Sequence, residues 1–265
     1  MRKLEVCCYS IESCLVAQHN GAHRIELCAG PAEGGVTPSV GVIRRALQLC
    51  SIPVYPIIRP RGGDFLYSEE EFNVLLQDVD EVRRLGCKGM VTGMLTPDGK
   101  VDIARMKAVK AISGEMELTF HRAIDVCADP FEAIKALIEL GVERVLSSGQ
   151  ASTAPEGAGL LKELQLYFGK HIIIMPGAGI RSANLEELAL FTEAREFHSS
   201  AAFQQQSAMR YRASRVSMSH AGNNEFQWPE ASPVSMSHAG NNEFQWPEAS
   251  PEEVHKMSTL LRALR

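Results

Sequence analysis

Nowhere in the chain do lysine and arginine gather into a run, and no apolar stretch reaches the roughly 18 residues a membrane-spanning helix needs. With a net charge of −5 and a pI near 5.9, the electrostatic footprint of a nucleic-acid or membrane-surface binder is missing, so neither partner is expected. The opening Met-Arg-Lys-Leu-Glu-Val lacks the apolar core of a signal peptide, and the seven cysteines are odd in number. Both point to a reducing, cytoplasmic setting. No CxxC and no HExxH occurs, so the usual zinc spacings are absent. A Gly-x-Gly-x-x-Gly after the first strand is absent too, which argues against a dinucleotide-binding open sheet and against an organic cofactor held that way.

What is present is a regular alternation. Short β-branched or apolar runs at Leu4–Tyr9, Arg24–Ala29, Ile52–Ile58, Gly89–Met94, Glu117–Ala123, Arg144–Ser148, Ile172–Met175 and Glu196–Ser200 read as strands. Helical periodicity follows each, starting near Ile11, Ser39, Ser68, Asp102, Asp129, Gly157, Ala183 and Pro251. Start signals such as Ser68 with Glu71, and Asp129-Pro130, support these boundaries, as do the stop glycines Gly21, Gly86 and Gly141. Eight strand-helix units in one chain of 265 residues predict a single-domain α/β TIM (β/α)8 barrel, ahead of an open doubly wound sheet. One stretch does not belong to that plan: Val216–Pro233 is repeated without a change as Val234–Pro251. A solenoid would have diverged copies and at least three of them, so 216–251 is expected to be a loop insertion before the last helix, with no chemistry of its own. The Phe and Trp in each copy leave an interaction handle as the alternative.

Barrel interiors are ordinarily filled with Val, Ile and Leu, yet these strands carry Glu5, Arg24, Glu26, Arg59, His121, Arg122, Glu196 and His198. Strand alternation puts Glu5 with Cys7 on one face and Arg24, Glu26 and Cys28 on one face of the next strand. Buried charges must be paired, so these predict an internal network, with Glu26, Arg59, His121 and His198 as candidate catalytic groups. The strand ending in Arg59-Pro60-Arg61-Gly62-Gly63-Asp64 resembles an anion-holding loop, although a salt-bridged turn would use the same residues. Arg61, with Gly177 and Gly179 of Pro176-Gly177-Ala178-Gly179 and with Ser199 and Ser200, forms the candidate anion-binding set, because barrels often hold phosphate between their last two strand loops. Cys7 and Cys28, soft ligands on neighbouring strands, are the candidate metal pair for Cu(I), with small buried filler as the plainer alternative.

Leu4-Glu5-Val6-Cys7, Arg24-Ile25-Glu26-Leu27-Cys28, Glu33-Gly34-Gly35-Val36-Thr37-Pro38-Ser39, Ile58-Arg59-Pro60-Arg61-Gly62-Gly63-Asp64-Phe65, Thr119-Phe120-His121-Arg122-Ala123 and Glu196-Phe197-His198 together resemble the CutC family, named for copper homeostasis. The similarity runs in order from the first strand to about Arg212. It implies a TIM barrel, a cytoplasmic protein that self-associates as a homo-oligomer such as a dimer, and copper ligands at Cys7 and Cys28. Two function classes remain: a Cu(I)-binding or trafficking barrel, and an enzyme acting on a small phosphorylated or carboxylated metabolite through Arg59, Arg61, Glu26 or His121. A structural subunit with a vestigial site is a third.

Overall fold

The computed structural model describes residues 2–211 and 244–264, and most of the duplicated stretch therefore lies outside the described residues. The strands and helices alternate as β1 (Lys3–Cys8), α1 (Ile11–His19), β2 (Arg24–Leu27), α2 (Val40–Leu49), β3 (Val54–Pro56), α3 (Glu69–Arg84), β4 (Gly89–Thr92) and α4 (Ile103–Ser113). The second half continues as β5 (Glu117–Phe120), α5 (Pro130–Glu139), β6 (Arg144–Ser147), α6 (Ala158–Phe168), β7 (Ile173–Pro176), α7 (Ser182–Thr192) and β8 (Glu196–Ser199). A ribbon of β9 (Ala202–Gln206) and β10 (Gln245–Ala249) then leads into α8 (Pro251–Ala263).

The eight core strands pair in parallel as two arcs, β3-β2-β1-β8 and β4-β5-β6-β7. One junction is closed by the parallel bridge Ile57 to Val91, with the Ile58 N–H donating to the Val91 carbonyl at 2.7 Å. At the other junction β7 and β8 lie side by side with no strand pairing between them among the described residues. This is the expected (β/α)8 barrel, and each helix starts within a residue of its predicted position.

Alternation along each strand sorts the residues. One face of each strand, with Leu4, Val6, Ile25, Leu27, Met90, Leu118, Phe120, Val145, Ile174 and Phe197, is buried in the main apolar core, at about 1.5–3 kcal/mol for each fully buried large side chain. The other face carries Glu5, Cys7, Arg24, Glu26, Tyr55, Arg144, Glu196 and His198, which are also buried. Caps hold the helices in register. Ser68 accepts from the Glu71 N–H while the Glu71 carboxylate accepts from the Ser68 N–H, and Ser10, Ser39, Asp102, Asp129 and Ser250 cap α1, α2, α4, α5 and α8.

Where the sequence predicts a loop through 216–251, the end of the second copy is a strand. β10 pairs antiparallel with β9, and Glu248 accepts hydrogen bonds from the hydroxyls of Ser10 and Ser13 at the start of α1. A loop reading misses this because the partner strand Ala202–Gln206 is only half-buried and carries three glutamines in place of an apolar alternation.

The turn after β6 depends on two glycines. Gly149 has φ +72°, and a Cβ added there would overlap the carbonyl of Gly157, the residue just before α6. Gly149→Ala is expected to lower stability by about 2 kcal/mol or more, read as a reduced urea midpoint at constant slope. An unchanged midpoint would contradict this account of the turn.

Candidate functional site

A charge network fills the barrel. Arg24, facing inward on β2, donates to Glu5 on β1 and, at 2.7 Å, to Glu196 on β8. Arg144 on β6 donates to the same Glu196 oxygen at 2.7 Å and to Glu117 on β5 at 3.1 Å. Tyr55 on β3 donates its hydroxyl to Glu117 at 2.7 Å, with both guanidiniums near its ring. Sequence reasoning missed Glu117 and Arg144, because each is the first residue of its strand and resembles the polar end of a preceding turn. The signal that could have found Arg144 is its period-two spacing from Leu146, which lines the cavity above it.

Above this network the strand register sets Cys7 beside Glu26, one step up from Glu5 beside Arg24 and His198. His198 Nδ1 lies 2.8 Å from a Glu5 oxygen, and its Nε2 lies 3.6 Å from Glu26. Burial opposes charge on His198, but Glu26, Cys7 and Glu5 outweigh it and raise its pKa well above the ordinary histidine value. Burial likewise opposes ionisation of Glu5, yet Arg24 and then His198 hold its carboxyl well below the usual range. For Glu26 burial dominates, and its pKa is raised. Cys7 and Cys28 have their Sγ atoms 3.6 Å apart, both buried. Their shared hydrogen bond, with the His198 imidazolium alongside, makes Cys7 the more acidic thiol, while the same bond together with burial raises Cys28. Ligand atoms of Cys7, Glu26 and His198 all fall within 4.8 Å of one another, a spacing that could hold one metal ion.

These residues form one side of a cavity of about 120 Å³ at the C-terminal mouth of the barrel, bounded also by Tyr9, Gly34, Ile57, Arg59, Phe65, His121, Arg122 and Leu146. Arg59, predicted as an anion ligand, is buried at 6% exposure and donates to the carbonyls of Glu33, Gly35 and Gly63. His121 is buried at 4% exposure, and its Nδ1 accepts from the Ala123 N–H, which places the ring proton on Nε2. Burial and then the Arg59 charge push its pKa down to about 3, so the ring is neutral at pH 7.

The other predicted anion ligands are not brought to this cavity. Arg61 is engaged by Glu71 at 2.6 Å and Asp64 at 2.9 Å, the salt-bridged turn that the sequence left open. The Gly177 N–H donates to the Ser147 carbonyl, the Gly179 carbonyl accepts from Asn184, and the Ser199 hydroxyl donates to the Ile180 carbonyl. Ser200 is half-buried beyond the end of β8. A wider groove of about 690 Å³ between α1 and the ribbon, lined by Val16, Phe203, Trp246 and Pro247 among others, carries Glu12 and Glu248 but no cysteine, histidine or arginine among the described residues.

Residues 2–203 match the model of the CutC family. A family protein CutC from Citrobacter koseri is 55% identical over 219 residues, covering 83% of this chain and 88% of the relative, and one from Salmonella schwarzengrund is 53% identical with the same coverage. A crystal structure from Streptococcus agalactiae, carrying the provisional name of copper homeostasis protein CutC, superposes with a TM-score of 0.73 at 30% identity over 76% of this chain and 99% of that one. A phosphoribosyl anthranilate isomerase from Thermotoga maritima, at 9% identity and a TM-score of 0.57 over 99% of this chain and 100% of that one, shares the fold alone.

The buried neutral His121 has a pH signature. Its folded pKa lies below the unfolded value near 6.5, so its contribution is complete above pH 6.5 and is lost as pH falls toward 3. Wild type should therefore lose up to about 1.4 kcal/mol per pH unit more than His121→Gln across that window, measured by urea unfolding at stepped pH. Parallel curves would show that the ring titrates normally.

Proposed function

The chain belongs to the CutC family, and from that premise we propose that it binds Cu(I) through Cys7 and Cys28 at the barrel mouth, in copper buffering or trafficking. The observation that carries this reading is the approach of the two buried thiols to 3.6 Å. Soft sulfur ligands favour Cu(I) over harder divalent ions, and the lowered pKa of Cys7 favours the thiolate that a metal needs. His198, next to both Cys7 and Glu26, supplies an imidazole as third ligand once its proton is displaced. Glu26, a hard oxygen ligand, is the least suited of the group to Cu(I) and would take up that proton. The name of the Streptococcus agalactiae relative lends support to a role in copper homeostasis. A cytoplasmic setting and self-association go with the family resemblance and belong to the same proposal.

Anaerobic titration of the reduced protein with Cu(I) against a competing chelator tests the site. Tight binding of one ion per chain is expected, lost in the Cys7→Ser, Cys28→Ser double variant while the far-ultraviolet circular dichroism stays native. Equal affinity without the two thiols would remove the copper reading from this site.

A further inference from the structure

We propose that the barrel-mouth cavity also binds a small aliphatic monocarboxylate, held by Arg59 and His121. This goes beyond the copper reading and uses none of its ligands.

The barrel treats its buried guanidiniums unequally. Arg24 and Arg144 each hold carboxylates, Glu5 with Glu196 and Glu196 with Glu117. Arg59, as buried as they are, has no ion-pair partner among the described residues and is held by three backbone carbonyls, the Phe65 ring and the neighbouring Tyr67 hydroxyl, all of them uncharged. Its Nε is left without a hydrogen-bond partner. A buried cation without a counter-charge is costly, and an anion from solution would complete it. His121 repeats the pattern independently: its Nδ1 is used by Ala123, so Nε2 bears the proton, and that buried N–H also has no partner. The unsatisfied His121 N–H and the uncompensated Arg59 charge, on residues that bound the same cavity, suit the two oxygens of a carboxylate.

The remaining walls select the rest of the ligand. Ile57, Phe65 and Leu146 are apolar, and Phe65 packs on both donors, 4.9 Å from the Arg59 guanidinium and 4.7 Å from the His121 ring. About 120 Å³ is well below the roughly 300 Å³ at which drug-sized pockets begin, which limits the guest to a few heavy atoms. Phosphate is disfavoured, because the Gly177 N–H and the Ser199 hydroxyl, which could serve it, already donate to internal carbonyls. The acids Glu5 and Glu26 already have Arg24 and His198 as partners, so they do not compete for Arg59.

The test uses the reduced, chelator-treated full chain with sodium propionate as probe, against sodium chloride and inorganic phosphate at matched ionic strength. For five heavy atoms a millimolar Kd is expected, and saturation at 50-fold excess should raise Tm by about 5 °C. His121→Phe keeps the ring volume but removes the donor, and should weaken binding at least about tenfold, while His121→Gln, which keeps an N–H near the Nε2 position, should retain most of it. In the wild type the His121 Nε2 nitrogen resonance should shift saturably with propionate, a readout that does not depend on any variant folding. The Cys7→Ser, Cys28→Ser variant should keep its propionate response, so loss of copper binding and loss of this site are separately visible. The proposal falls if propionate gives no saturable shift beyond chloride, if phosphate matches it, or if His121→Phe binds as well as wild type.

Discussion

The structure depends on the cost of placing charge inside a barrel. An isolated guanidinium in that interior would be several kcal/mol out of balance, so Arg24 on β2 constrains its neighbours on both sides. Glu5 and Glu196 answer it, and Arg144 answers Glu196 in turn. With Glu5 held ionised by Arg24, the ring of His198 sits against a fixed negative charge and takes up a proton. That imidazolium in turn lowers the pKa of Cys7. To the larger effects of Glu26 on His198 and of Cys28 on Cys7 is thus added one from below, from an ion pair that does not itself line the cavity.

The same network reinforces the weakest line in the barrel. β7 and β8 lie together without a backbone ladder, so closure there cannot rest on strand pairing. Side chains bridge the gap: Glu196 on β8 receives Arg144 from β6, and Arg24 places one Nη against the Met175 sulfur of β7. Glycine at Gly177 allows the approach, since a Cβ there would meet Leu146 and His198. The polar interior therefore has a structural task as well as a chemical one. Its replacement by Val, Ile and Leu, the usual barrel filling, would remove bonds that tie the two arcs together.

The parts of this molecule written in local pattern could be read without coordinates. Apolar periodicity, capping residues such as Ser68 with Glu71, and the inward alternation of Glu5 with Cys7 depend only on near neighbours in the chain. The parts that depend on which side chain finds which partner could not. Arg59 and Arg61 are two residues apart with the same side chain, yet one ends buried on backbone carbonyls and the other lies on the surface between Asp64 and Glu71. Only the path of the loop separates them. The repeated segment shows the same limit in its strongest form, because two identical copies carry identical propensities. Gln245–Ala249 is placed by connectivity: Ser250 follows at once and caps α8, and that helix fixes where β10 must end.

Curvature of the sheet gives the mouth its two-sided chemistry. Cys7, Glu26 and His198 come from adjacent strands β1, β2 and β8 of one arc, so their register alone brings them together. Arg59 follows β3 at the edge of that arc, and His121 follows β5 in the other. They share the cavity because the barrel closes at the β3–β4 junction, where Ile57 bridges Val91. Cys7, Glu26 and the His198 imidazolium therefore come from one arc, His121 from the other, and Arg59 from the edge between them. A neutral His121 is essential to that division, because a charged ring beside Arg59 would add a second uncompensated cation to the same buried space.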